Sequence, residues 1–216
     1  MDDQHIDDPD LPNLSDLAGP APAGRGEDRL DHLASMVERT VAVMAAAEGH
    51  LDRPTPCAGW NVAAVLEHLA LWAPLFDAAV HGRPAPYDPA GHRVPGGWAG
   101  IVAGAGPSIV DGLRAGGTGQ LCSLAGGDPI PGEMVLDMLL AEYIGHGWDL
   151  CRAIGLDPPY PPAEAEVALA AAEAILGPEY RGGELFGAEV EVPPGAPAID
   201  RLMAFLGRDP GAVAAC

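Results

Sequence analysis

The sequence predicts an all-α fold: four substantial antiparallel helices in one bundle, with a small C-terminal appendage. Three observations predict it. Of 216 residues, 48% are hydrophobic but only 5% are aromatic. That apolar mass is largely Ala, Val and Leu, which suits close-packed helices better than a β-sandwich. Apolar residues recur at three-to-four spacing over several long segments. Pro- and Gly-rich stretches separate those segments and break regular structure between them. The length supports one core of ordinary size.

Residues 1–26 are rich in Asp, Pro, Gly and Ala without periodicity and read as a disordered arm. From Asp28 to about Glu48, the spacing of Leu30, Leu33, Val37, Val41 and Met44 predicts the first helix, which Gly49 can end. Pro54, Pro56 and Gly59 make the next stretch a loop. Asn61 can cap a second helix running to about His81, with Val62, Val65, Leu69, Trp72 and Phe76 as its inward stripe. Residues 82–97 form a long Pro-rich loop. Trp98 to about Leu113 is a weaker helix, interrupted by Gly104, Gly106 and Pro107. Residues 115–130 read as Gly-rich loop. The fourth helix, from about Gly132 to Ala153, has the clearest face: Val135, Met138, Leu139, Glu142, His146 and Leu150, with Gly155 closing it. Pro161 and Pro162 open an Ala-rich fifth helix to Leu176. The alternation in 188–192 predicts a short strand, and 198–206 a final short helix. The expected organisation is thus the arm, a helical bundle over 27–157, and C-terminal helices with a short strand over 158–216 packed on it.

Composition excludes some chemistry. Net charge is -20, and all 11 basic residues are Arg. Without lysine there is no Schiff-base nucleophile on this chain. An acidic surface repels phosphate backbones, so no nucleic-acid partner is expected. The start carries no secretory signal pattern, and no apolar run approaches the roughly 20 residues that span a bilayer, so no membrane partner is expected. Cys57, Cys122, Cys151 and Cys216 form no C-x-x-C pair. A cytoplasmic protein with reduced thiols is the expectation. An oligomer is compatible with the sequence.

One constellation carries chemistry. Glu142 and His146 are four apart on a helix, so both side chains leave nearly the same face, about one turn apart. That face is otherwise apolar, and a carboxylate there is costly unless paired or bound to a cation. His68 lies beside the inward stripe of the second helix. Three such ligands from two facing helices hold a divalent cation, zinc by preference, and leave a coordination position open. The bland alternative also stands: Glu142 and His146 pair with each other or with an Arg, and His68 is a hydrogen-bonded core residue. Asp149, one turn after His146, can hold that imidazole from behind or pair with Arg152 or another Arg. Cys57 is either a nucleophile near the positive end of the second helix or a packed loop residue. Trp60, Trp72 and Trp148 wall a pocket or fill the core. Arg201 and Arg208 bind a carboxylate substrate or tie the C-terminal helix to the bundle. His81 and His92 border the long loop.

The segment Thr55-Pro-Cys-Ala-Gly-Trp-Asn-Val-Ala-Ala-Val-Leu-Glu-His-Leu69 resembles the opening of the second helix in the mycothiol-dependent maleylpyruvate isomerase-like proteins of the DinB superfamily. Glu142-Tyr-Ile-Gly-His-Gly-Trp-Asp-Leu-Cys-Arg-Ala-Ile-Gly155 resembles that family's second metal motif, and Asp200-Arg-Leu-Met-Ala-Phe-Leu-Gly-Arg-Asp-Pro210 the C-terminal signature of a short actinobacterial branch. The resemblance implies a DinB-like up-down-down-up four-helix bundle. It implies a metal on the positions matching His68, Glu142 and His146, with mycothiol as cofactor or co-substrate. The expected partners are then a low-molecular-weight thiol and a small-molecule substrate, and the expected activity a thiol-using isomerase or S-transferase. The maleylpyruvate isomerases carry a larger C-terminal domain with a basic substrate-binding residue, for which this chain offers no placed counterpart. Two other functions use the same residues: a thiol-independent metal hydrolase or cyclase in specialised metabolism, and a non-catalytic bundle that binds a small molecule.

Overall fold

The computed structural model describes residues 26–181 and 186–212. Gly26, expected at the end of the disordered arm, begins the first helix, while residues 1–25 of that arm, with His5, and Cys216 lie outside the described residues. Among these, the chain forms six α-helices and one two-stranded ribbon: α1 (Gly26–Ala47), α2 (Val62–Val80), α3 (Trp98–Arg114), β1 (Leu121–Ser123), β2 (Pro129–Pro131), α4 (Gly132–Ile154), α5 (Pro162–Ile175) and α6 (Ala198–Phe205). The class is all-α, as composition and periodicity predict.

Side-chain contacts fix the direction of each helix. Arg29 near the start of α1 reaches Glu133 and Asp137 near the start of α4, and Thr40 donates to the Tyr143 carbonyl at 3.0 Å midway, so α1 and α4 run parallel. Arg114 at the end of α3 meets Asp31, while Glu48 accepts from the Ala99 amide at the start of α3. That makes α3 antiparallel to α1. Arg53, ahead of α2, donates to the Ala153 carbonyl at the end of α4, and Gln120, just ahead of β1, donates to the Val80 carbonyl at the end of α2. So α2 runs against α4. The bundle is therefore up, down, down, up, with α1 and α2 on one diagonal and α3 and α4 on the other.

Two parallel neighbours in sequence, α2 and α3, need a connection that returns the length of a helix, about 28 Å for α2. The Pro-rich loop 81–97 makes that return. The Tyr87 hydroxyl donates to the Leu71 carbonyl at 2.7 Å partway along, and the Val94 amide donates to Glu67 at 3.2 Å near the far end.

Local chemistry explains the ends. Asn61 accepts from the Ala64 amide at 3.0 Å and satisfies one orphan donor of α2. Gly155, at φ 77°, closes α4 in the left-handed region that costs other residues more. α3 forms despite its glycines because of packing: a Cβ on Gly106 would sit 2.4 Å from Val37 Cγ1, so the missing side chain lets α1 and α3 approach.

Three expectations are corrected. Residues 115–130 are not all loop: Cys122 pairs with Ile130 in an antiparallel ribbon, both are buried, and their neighbours face outward. Alternation was hidden there because only one residue per strand points in. The predicted strand at 188–192 does not form. Val190 donates a single bond to the Ala204 carbonyl at 3.0 Å, and no aligned partner strand runs beside it among the described residues. Finally, Val62–Val80 is long and apolar enough, by length and composition, to cross a membrane. Here it is a core helix carrying Glu67, His68 and Asp77, with 56% of its apolar window buried.

Candidate metal centre

Antiparallel packing of α2 on α4 brings His68 opposite Glu142. The His68 imidazole makes a hydrogen bond through Nε2 to Glu142 Oε1. His146 Nε2 lies 3.6 Å from the same oxygen. One ligand atom from each of His68, Glu142 and His146 falls within 4.8 Å of the other two. The three sequence candidates are thus brought together, though less deeply than the apolar stripes suggest. The His146 side chain is 10% exposed, but His68 and Glu142 are 25% and 28% exposed. His68 and Glu142 stand at the rim, so the cluster opens to solvent.

Beneath the cluster the bundle is closed. The cavity bounded by Leu69, Trp72, Phe76, Leu139, Glu142 and Tyr143 is ≈ 10 Å³, enough for at most one water. The donors are thus accessible from the solvent side of the bundle. A groove of ≈ 600 Å³, lined by Arg39, Val43, Cys151, Leu156 and Asp157 among others, touches none of them.

The rings are held in place. Trp60 stacks on His146 with centroids 5.6 Å apart and planes at 6°, and meets His68 edge-on at 4.9 Å. Trp72 tilts against His68 at 6.4 Å. Trp148 is core instead. His146 Nδ1 donates to Asp149 Oδ2 at 3.0 Å, and Nε2 faces Glu142. Asp149 is fully buried and also takes Arg208, through Nη2 at 3.0 Å and Nε at 3.4 Å. Asp149 thus contacts the His146 imidazole and an arginine at once, the arginine being Arg208. Arg152 lies over Trp148 instead.

Electrostatics follow from these contacts. Burial alone would raise the Glu142 carboxyl; the charges of His68 and then His146 outweigh it and hold Glu142 down at about 2. Burial opposes the Asp149 charge too, but the bond from His146 and the Arg208 guanidinium keep it below the usual carboxylate range. Burial pushes the Cys57 thiol up to about 11, more than Arg208 lowers it. Cys57, His146 and Asp149 also approach within 4.8 Å of one another. In this group Asp149 already has both oxygens engaged, by Arg208 and by His146 Nδ1, so its carboxylate is compensated without a metal. His81 and His92 belong to neither group: His81 pairs with Asp77, and His92 stacks on Tyr87 with centroids 3.8 Å apart. Arg201 ties α6 to α5 through Glu166.

Of the residues with two readings, Trp60 lies against both imidazoles and Arg208 ties the segment after α6 to the bundle through Asp149. Trp60 precedes the Asn61 cap, so the capped turn aims its indole at the first turns of α2. Arg208 follows the end of α6 and reaches a residue on α4; no local pattern announces a contact of that range.

Against known proteins, residues 30–151 match the family described as the mycothiol maleylpyruvate isomerase N-terminal domain. Two uncharacterized proteins, from two strains of Mycobacterium tuberculosis, are each 32% identical over 170 residues, covering 73% of this chain and 85% of the relative. No solved structure matches the chain with significance. The matched span runs from Leu30 through Cys151 and includes His68, Glu142, His146 and Asp149.

Proposed function

We propose, from the premise that this chain belongs to the mycothiol maleylpyruvate isomerase N-terminal domain family, that it is a metal-dependent enzyme using a low-molecular-weight thiol. His68, Glu142 and His146 hold one divalent cation, zinc by preference. Mycothiol or a similar thiol acts there on a small organic substrate, in isomerisation or S-transfer. One observation carries the reading: two imidazole nitrogens and a carboxylate oxygen within 4.8 Å of one another at a solvent-facing rim.

The donor set fits the ion. Two imidazoles and a carboxylate are a ligand set of catalytic zinc sites, which keep a further position for an exogenous group. When bound, such a cation lowers the pKa of a thiol or water set against it and polarises a carbonyl. The chain's own residues do the rest. Glu142 stays ionised and balances part of the cation's charge. Asp149 fixes the His146 tautomer so that Nε2 is the free nitrogen. Trp60 and Trp72 restrict the two rings and form an apolar wall on which the carbon skeleton of a substrate can rest.

The thiol comes from outside. Cys57 is the protein thiol near the cluster, and burial keeps it protonated at neutral pH. The net charge of -20 disfavours a free dicarboxylate away from the cation and favours a neutral or weakly charged substrate.

Metal analysis of wild type beside His146→Ala tests the site. About one ion per chain in wild type, and loss of most of it in the variant, is expected; equal content in both overturns the site. Cobalt-substituted protein titrated with mycothiol then tests the thiol. A thiolate-to-cobalt charge-transfer band is expected. If no band forms but the loaded protein turns over substrate unaided, the thiol-independent hydrolase or cyclase replaces this reading. Tight ligand binding that survives His68→Ala without turnover points to the non-catalytic bundle.

A further inference from the structure

We propose that Arg208 is a positioning residue of the candidate metal centre, holding His146 through Asp149, so that metal binding and docking of the segment after α6 reinforce each other. The inference rests on the metal reading above.

The geometry is a chain of buried contacts. Arg208 is 8% exposed and Asp149 is fully buried. Each side-chain nitrogen of Arg208 is used: Nε and Nη2 reach the two oxygens of Asp149 at 3.4 Å and 3.0 Å, and Nη1 donates to the Leu206 carbonyl at 2.9 Å. The Arg208 amide donates to the Met203 carbonyl at 2.8 Å. Gly207, at φ 80°, lets the chain turn there, and a Cβ on it would lie 2.9 Å from Gly187 Cα. The guanidinium is therefore fixed from both its backbone and its side chain.

Asp149 Oδ2 takes Arg208 Nη2 and His146 Nδ1, both at 3.0 Å. The imidazole offers Asp149 one hydrogen bond, whereas the guanidinium reaches both of its oxygens. The guanidinium is the formal cation that compensates this buried carboxylate. Without it, nothing holds the carboxylate in the plane that the imidazole N–H needs. The His146 ring then keeps only its ring contacts, the Trp60 stack and the edge-on His68 ring at 5.1 Å, which do not fix its rotation about the ring axis, and Nε2 is no longer aimed at Glu142. Lysine restores the charge but not the two-point grip on Asp149. The segment after α6 thereby becomes part of the site. By linkage, whatever Arg208 docking does for metal affinity, the metal does for docking.

The test uses the full chain, with Arg208→Met, Arg208→Lys and Asp149→Asn. Zinc affinity is measured by competition with a chromophoric chelator, and hydrogen exchange of residues 198–212 is followed with and without zinc. Circular dichroism reports the fold. Arg208→Met is expected to bind zinc about 10- to 100-fold more weakly, with Arg208→Lys in between. Zinc is expected to slow exchange over 198–212 in wild type but not in Arg208→Met. If Arg208→Met does not fold, Asp149→Asn decides, with weaker zinc binding expected. A purely structural tie would lower stability and leave zinc affinity unchanged; that result overturns the inference while the metal site stands. Wild type that binds no zinc overturns both.

Discussion

Replacing Gly147 by Ala separates helix propensity from tertiary packing, because the two predict opposite signs. Gly147 lies mid-helix in α4, directly after His146. By propensity alone, alanine there would stabilise the helix by about 1 kcal/mol. The structure says otherwise. A Cβ at Gly147 would sit 1.7 Å from the Tyr160 hydroxyl oxygen, 2.8 Å from its Cζ and 3.2 Å from Thr40 Oγ1. Tyr160 is buried, and its hydroxyl is 2.8 Å from Thr40 Oγ1. The ring has to move, which costs about 1–3 kcal/mol for overpacking. Losing the buried hydroxyl pair adds about 1–3 kcal/mol. Subtracting the propensity gain leaves a net loss of about 3 kcal/mol. For a domain of this size that lowers Tm by about 6–12 °C. Urea unfolding followed by circular dichroism, with a thermal scan, measures it. Tyr160→Phe removes the atom nearest the clash, so in that background Gly147→Ala is expected to cost at least about 1 kcal/mol less. A single variant as stable as wild type, or more stable, would refute the packing argument.

Three further predictions follow from individual side chains. Asp137 is held up at about 6, first by burial, against the lowering by Arg29. A raised carboxyl pKa means the folded state favours the protonated form. Stability relative to Asp137→Asn should therefore fall as pH rises from about 4 to about 6 and level off above, by about 1–2 kcal/mol after solvent screening. Denaturant titrations at several pH values would show this, and a flat difference would exclude it. Asn61→Ala removes the α2 cap and should cost about 1 kcal/mol, read as a shift in the urea midpoint at constant slope. Cys57, with its thiol pushed up to about 11, should alkylate with iodoacetamide at pH 7.5 more than about tenfold slower than an unfolded-chain thiol. Peptide mass spectrometry over time measures the rate, and a rate equal to the unfolded chain's would show that burial does not protect it.

How much was legible beforehand depends on range. The helices were, because each writes its own periodicity: the stripe from Leu30 to Met44, the stripe from Val62 to Phe76, and the face from Val135 to Leu150. Asn61 and Gly155 marked ends because capping is local chemistry. The shared face of Glu142 and His146 is helix arithmetic, needing only their spacing of four. Elements that exist only through a partner were misread. The alternation at 188–192 has no neighbouring strand to pair with among the described residues, and the ribbon from Leu121 to Pro131 has too few inward residues to show a period.

The amino-acid order by itself determined an all-α chain with a carboxylate and an imidazole on one face of α4 and a second imidazole on α2. Tertiary structure alone decided that His68 meets Glu142, that Trp60 lies over His146, and that Asp149 is compensated by Arg208 rather than Arg152. Periodicity and capping act within a few residues, where the chain's own geometry fixes who is near whom. Pairings across the bundle depend on which helices run parallel and how a loop such as 81–97 returns, and no local pattern encodes that.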